Sequence, residues 1–168
     1  MSDRTSLRMA ATAVAAVVGI AVVSLTVLVA GMRWKLPPVL NAVRRMNRAV
    51  TNPRVMRTAG AAGTQTSVIR HTGRTSGRTY ETPVDVIDTG DGFLIALPYG
   101  TDADWVRNVL ASGSAAIVSG GRSTAVGDPI IAATAEVADQ IPGRTLRTLR
   151  LFGVTECLHV QRSADGPG

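Results

Sequence analysis

Residues 70–86 read RHTGRTSGRTYETPVDV, and how this stretch divides decides the fold. Two Gly-Arg pairs, Gly73-Arg74 and Gly77-Arg78, bracket Thr75-Ser76, so its middle is a loop. Residues 66–71 (TSVIRH) before it are rich in β-branched side chains and predict a strand. Residues 79–89 (TYETPVDVIDT) after it alternate well enough for a second strand, and Asp91-Gly92 turns the chain into a third, residues 92–99 (GFLIALPY).

Residues 102–112 (DADWVRNVLAS) break the strand pattern. Trp105, Val106, Val109 and Leu110 recur at helical spacing, and Asp102 stands where a cap is wanted. Residues 114–120, 122–128 and 130–137 are further strand candidates, with turns expected at Gly120-Gly121 and Asp128-Pro129. Residues 140–152 predict a short helix interrupted early by Pro142 and Gly143, and residues 154–162 (VTECLHVQR) close as a strand. The expected fold is mainly β (α+β), a small six-stranded antiparallel barrel with one helix inserted midway.

The amino-terminal part is of another kind. Residues 9–32 contain no charge, and as a helix they cover about 36 Å, enough for the ~30 Å hydrocarbon layer of a membrane. A cleaved signal peptide is the rival, but the best cleavage point, Leu28-Val29-Ala30, has a large residue where a small one is wanted. A retained anchor is expected. Residues 33–64 then carry seven basic side chains and no acid, whereas Asp3, Arg4 and Arg8 before the run sum to +1. This asymmetry places the following domain on the cytoplasmic side of the plasma membrane, as a single-pass protein. Membrane lipids are expected partners of residues 9–50.

The net charge of +6 belongs to that flank, because residues 65–168 hold nine basic and eleven acidic side chains, a net of −2. A nucleic-acid partner is excluded on this count. Leu40, Val43, Met46 and Val50 share a helical face, which suits an amphipathic helix lying on the membrane or packed on the domain. The expected organisation is a tail (1–8), an anchor (9–32), a basic juxtamembrane helix and linker (33–64), a barrel (65–163) and a flexible tail (164–168).

Cys157 is the only cysteine, so no internal disulfide can form, and it reads as a small core residue. His71 and His159 lie in strand patterns without a set of partner ligands. Both are expected to be hydrogen-bonded structural residues, and no metal site is expected. Asp85, Asp88 and Asp91 are expected to face solvent.

A glycine-rich loop bearing hydroxyls and guanidinium groups can cradle an anion through main-chain N–H groups, Thr72, Thr75, Ser76, Arg74 and Arg78. The plain alternative is a solvated hairpin turn. The pair HTGRTSGRTYETPV and LPYGTDADWVRNVLASG resembles the deazaflavin-dependent nitroreductase family of actinobacteria, in which a T-G-R-x-[ST]-G loop precedes a W-x-x-N helix. The resemblance covers residues 68–122. It implies a split β-barrel like those that bind flavin mononucleotide (FMN), and hydride transfer from reduced 8-hydroxy-5-deazaflavin (F420) to a quinone or nitro acceptor.

The same resemblance implies cofactor contacts from Thr72, Gly73, Arg74, Thr75, Ser76, Gly77 and Arg78. It adds the run Tyr80, Glu81, Thr82, Pro83, Val84 and Asp85 beneath the ring system, and Ala96, Leu97, Pro98 and Tyr99 as the opposite wall. Asp104, Trp105, Val106, Arg107 and Asn108 would close the groove. Some members have lysines where this chain has Thr75 and Tyr99, and an arginine in place of Tyr80, which shifts the grip on an acidic tail to Arg74, Arg78 and Arg107. Tyr80 and Tyr99 are the candidate catalytic proton donors. Trp105 suits packing, and Asn108 suits fastening a loop. FMN is the alternative cofactor, a non-catalytic cofactor-binding or membrane-scaffold module is the alternative function, and a homodimer would help so small a barrel.

Overall fold

A computed structural model describes residues 2–47, 49 and 52–163, with side chains from residue 14 onward except at 53. The helices are α1 (Ser2–Arg33), α2 (Pro37–Met46), α3 (Asn52–Val55), α4 (Asp104–Ser112) and α5 (Gly143–Leu151). The strands are β1 (Ser67–Thr72), β2 (Thr79–Val84), β3 (Val86–Asp88), β4 (Gly92–Ala96), β5 (Ser114–Ser119), β6 (Arg122–Ala133) and β7 (Glu156–Arg162). They form one antiparallel sheet in the order β2-β1-β5-β6-β7-β4-β3. The class is α+β as expected, but with seven strands rather than six.

The expected strand over residues 79–89 divides at Asp85. β2 pairs with β1 and β3 with β4, at opposite ends of the strand order. Alternation runs on through Asp85; only the pairing partner changes. Two Cα steps bridge at most about 7 Å, whereas seven strands laid flat would separate the edges by about 28 Å. The sheet therefore rolls into a half-barrel until its edges approach each other at Asp85. Pro83 is tolerated in β2 because that strand lies at an edge of the order.

Residues 122–128 and 130–137, expected as two strands, are instead joined in β6, which stops at Ala133. Asp128-Pro129 is a bulge rather than a turn: Gly127 faces Gln161 and Ile130 faces His159, so two residues of β6 stand opposite one of β7. Pairing with β5 has already ended at Gly127, so proline's missing N–H breaks no ladder bond on that side.

Alternation sorts two cores. Inside the curl, Ile69, Phe93, Ile95, Ile117, Val126, Leu158 and Val160 pack on Val106 and Val109 of α4. Each fully buried aliphatic side chain of this kind is worth roughly 1.5–3 kcal/mol. Outside it, Leu94, Ala132 and Cys157 lie with Val137, Ile141 and Val154 under Leu149 of α5. Cys157 is thus a core residue, and burial pushes its thiol pKa up.

Asp102 does not cap α4. The N-cap is Ala103 without a side-chain bond, and Asp102 pairs with Arg107 instead. Leu110 leaves the apolar stripe for solvent, and buried Asn108 takes a place on the inner face.

α1 contains a span, Val14–Arg33, long and apolar enough to cross a membrane, and most of its valines and Ile20 stand exposed. Its last turn meets the barrel side of the molecule. Arg33 Nη1 donates to the Arg150 carbonyl at 2.8 Å, and Lys35 lies 3.9 Å from Glu156. α2 buries Leu40 and bonds to the loop after β4, so it packs on the domain, while Met46 is exposed. Arg48 and Val50 of the expected amphipathic helix, and the expected tail 164–168, lie outside the described residues. The linker contributes α3, then docks through Gly60, whose carbonyl accepts from Gly121 N–H at the β5–β6 turn.

Candidate functional site

The TGRTSGR loop is the β1–β2 hairpin turn. Gly73 N–H donates to the Arg78 carbonyl and Gly77 N–H to the Gly73 carbonyl, both at 2.8 Å. Gly77 sits at φ +65°, and a Cβ on Gly73 would lie 2.5 Å from the Tyr80 ring and 2.6 Å from Ser76 Oγ. Both glycines are needed for so tight a fold. Ser76 Oγ and the Tyr80 hydroxyl share a hydrogen bond at 3.1 Å, and Ser76 Oγ also accepts from Arg78 N–H.

This loop is fastened to α4. Arg74 Nη1 and its main-chain N–H both donate to Asn108 Oδ1, at 2.8 and 3.2 Å, and Arg74 Nη2 reaches Asp104 Oδ1 at 3.0 Å. The other end of the Asn108 amide lies 3.3 Å from His71 Nδ1, and His71 Nε2 lies 3.3 Å from Thr82 Oγ1. With the amide oxygen committed to Arg74, Asn108 Nδ2 donates to Nδ1, and His71 carries its proton on Nε2. Burial lowers the His71 pKa, which suits this neutral tautomer. Tyr80 stacks on the imidazole at 5.9 Å between ring centres.

The expected roles of Asn108 as a fastener and His71 as a hydrogen-bonded structural histidine hold. His159 differs: on β7, opposite Leu94 and Ile130, its buried Nε2 finds no partner among the described residues. Among the described residues no group of metal-binding side chains occurs. Asp85, Asp88 and Asp91 are exposed, and Arg162 holds the Asp88 carboxyl below its usual pKa.

The named cofactor residues fall into several groups. Arg74, Asp104 and Asn108 are bonded together, while Val84, Leu97 and Val106 are core side chains. Trp105 is half-buried against the core, as expected for packing. Along β2 the pleat puts Tyr80, Thr82 and Val84 on the face of His71 and Ile69, and turns Glu81 and Pro83 to the other side, where Glu81 pairs with Arg70 at 2.8 Å. Ala96 ends β4, Pro98 and Tyr99 form the turn closed by Gly100 N–H to the Leu97 carbonyl, and Asp85 is the exposed joint. Thr72, Thr75, Ser76 and Arg78 are exposed at the hairpin end.

Tyr99 has partners that the sequence did not announce. Arg44 Nη2 donates to its carbonyl and Asn47 Nδ2 to its hydroxyl, both at 2.6 Å, and burial raises its pKa. These contacts span more than fifty positions, and α2 has the same apolar stripe whether it rests on lipid or protein.

Fit to an anionic group is narrower than the loop's composition promises. Gly73, Arg74, Gly77 and Arg78 use their main-chain N–H groups inside the protein, and Arg107 is held by Asp102. The N–H groups of Thr75 and Ser76 and the guanidinium of Arg78 have no protein partner among the described residues. They point to a compact donor set at the hairpin tip, suited to one phosphate or carboxylate.

The fold and site thus define an α+β half-barrel whose glycine-arginine hairpin is bolted to a single inserted helix. No protein-family model and no curated protein matches the chain. Similar solved structures include a domain-swapped dimer (12% identity, 72% of this chain and 98% of that one, TM-score 0.46). Another is an F420-H2-dependent reductase (14%, 58% and 94%, TM-score 0.40), and a third an F420 reductase (13%, 60% and 87%, TM-score 0.41).

Proposed function

We propose that the chain is a membrane-anchored oxidoreductase that moves a hydride from reduced F420 to a lipophilic acceptor, a quinone or a nitro compound. One observation carries this reading. The two sequence motifs of the resemblance, about thirty residues apart, meet through Arg74 on Asp104 and Asn108. When bound, the deazaflavin supplies the hydride chemistry. The protein's part is to bind, orient and keep water out. Thr75, Ser76 and Arg78 hold an acidic group of the cofactor; Arg74 sets the loop rather than gripping the ligand. Tyr80, exposed and with its hydroxyl bonded to Ser76 alone among the described residues, is the proton donor better placed to reach an acceptor, because the Tyr99 hydroxyl is engaged by Asn47. The anchor, with its barrel on the cytoplasmic side, raises the effective concentration of a membrane-borne acceptor.

The same commitments of Arg74, Arg107 and Tyr99 favour a second reading, a cofactor-binding module without turnover, with F420 or FMN as occupant. Titration of the full chain with oxidised F420, followed by mixing with reduced F420 and menadione, separates the two. Binding with oxidation supports the enzyme, binding alone supports the module, and neither ends both. Arg78→Ala is expected to weaken binding by ~1.5–3 kcal/mol, the loss typical of a hydrogen bond to a charged group. Unchanged affinity removes the hairpin tip from the site.

A further inference from the structure

The carboxy-terminal end of α5 lies against the foot of the apolar span. The Arg150 carbonyl accepts from Arg33 at 2.8 Å, and Gly153 packs on the Arg33 main chain. α5 reads GRTLRTLRL and contains no acid. Leu146 and Leu149 turn inward to the outer core, with Leu149 8% exposed, while Arg144, Arg147, Arg150 and Leu151 are exposed, Leu151 at 56%. At about 100° per residue, Arg144, Arg147 and Leu151 lie on one side of the helix, with Arg150 flanking them. Trp34, 70% exposed, and Leu36, 44% exposed, stand beside the same junction.

We propose that this outer face of α5 seats on anionic lipid headgroups, with Leu151 and Trp34 at the level of the acyl boundary. It is a second membrane contact, made by a segment more than a hundred residues after the anchor. The proposal rests on the anchor reading. If α1 spans the bilayer, the bond from Arg33 fixes the last turn of α5 at the end of the hydrocarbon, where the headgroup layer begins. Guanidinium groups there meet phosphate oxygens in bidentate fashion, and the exposed leucine and tryptophan supply apolar insertion. Charge complementarity selects an anionic lipid surface over a neutral one. The contact would hold the barrel in one orientation over the bilayer, adding to the bonds that Arg33 and Lys35 already make to it.

The test uses the full chain in lipid nanodiscs of phosphatidylcholine alone and of phosphatidylcholine mixed with phosphatidylglycerol, read by amide hydrogen exchange over residues 143–152. Exchange is expected to slow in the anionic discs by about fivefold for each arginine engaged. Arg144→Gln, Arg147→Gln and Arg150→Gln together should abolish that difference while the core strands stay protected. Equal exchange in both kinds of disc, with the chain still embedded after an alkaline wash, overturns the α5 contact and leaves the anchor standing. Loss of the chain from the discs in that wash overturns the anchor, and the contact with it.

Discussion

Asn108 uses both ends of its amide, one to hold the hairpin through Arg74 and one to hold His71, and it does so while buried. Asn108→Ala leaves Arg74 N–H and His71 Nδ1 without partners, a loss expected to cost about 1–3 kcal/mol in urea denaturation. The same network makes stability depend on pH. The His71 pKa is lowered on folding, so the unfolded chain binds more protons below the ordinary histidine pKa of 6.5. Stability should be level above that value and fall as pH drops from it toward the lowered one. Protonation would set an N–H at Nδ1 against the Asn108 NH2. Denaturation between pH 7.5 and 5 checks this slope; His71→Gln, though less stable at neutral pH, should lose it. A slope that survives in His71→Gln would assign the effect to another group.

Elements were legible where one local signal had one meaning. The uncharged run of residues 9–32 lies within α1, and the glycine pairs of residues 73–78 are the hairpin turn. Asp128-Pro129 was not legible, because a proline at a bulge and a proline at a turn look alike until the partner strand is known. The division at Asp85 was hidden because alternation does not report which strand sits alongside. Asp102 has the side chain of a cap, and the nearby Arg107 outcompetes the helix end for it. Of the site, the union of loop and helix motif was foreseeable only from the family resemblance, and the contacts at Tyr99 from nothing local. Asp128 holds a left-handed conformation at φ +48°. Asp128→Val should therefore lose about 1–2 kcal/mol. Asp128→Gly should be close to neutral, measured by the midpoint of urea unfolding, and equal losses for both would mean that the side chain, not the backbone angle, matters there.

For the molecule as one body, curvature is held by the short link at Asp85 between two edges of the sheet. Lengthening it by four glycines should let β2 and β3 drift apart. Amide exchange is then expected to quicken in those two strands and stay slow in β5, β6 and β7 at the centre of the order. Uniform quickening would show instead that the whole barrel depends on that joint. The outer edges are also short and interrupted, six residues in β2 with Pro83 within it and three in β3, which discourages strand-to-strand joining between copies.

Arg44 and Asn47 grasp the carbonyl and the hydroxyl of one residue, Tyr99. A pull, tilt or slide of α2 therefore cannot leave that turn where it was. Movement of the helix that follows α1 and movement of the Leu97–Gly100 turn share a single mechanical coordinate, like a handle fixed to its door.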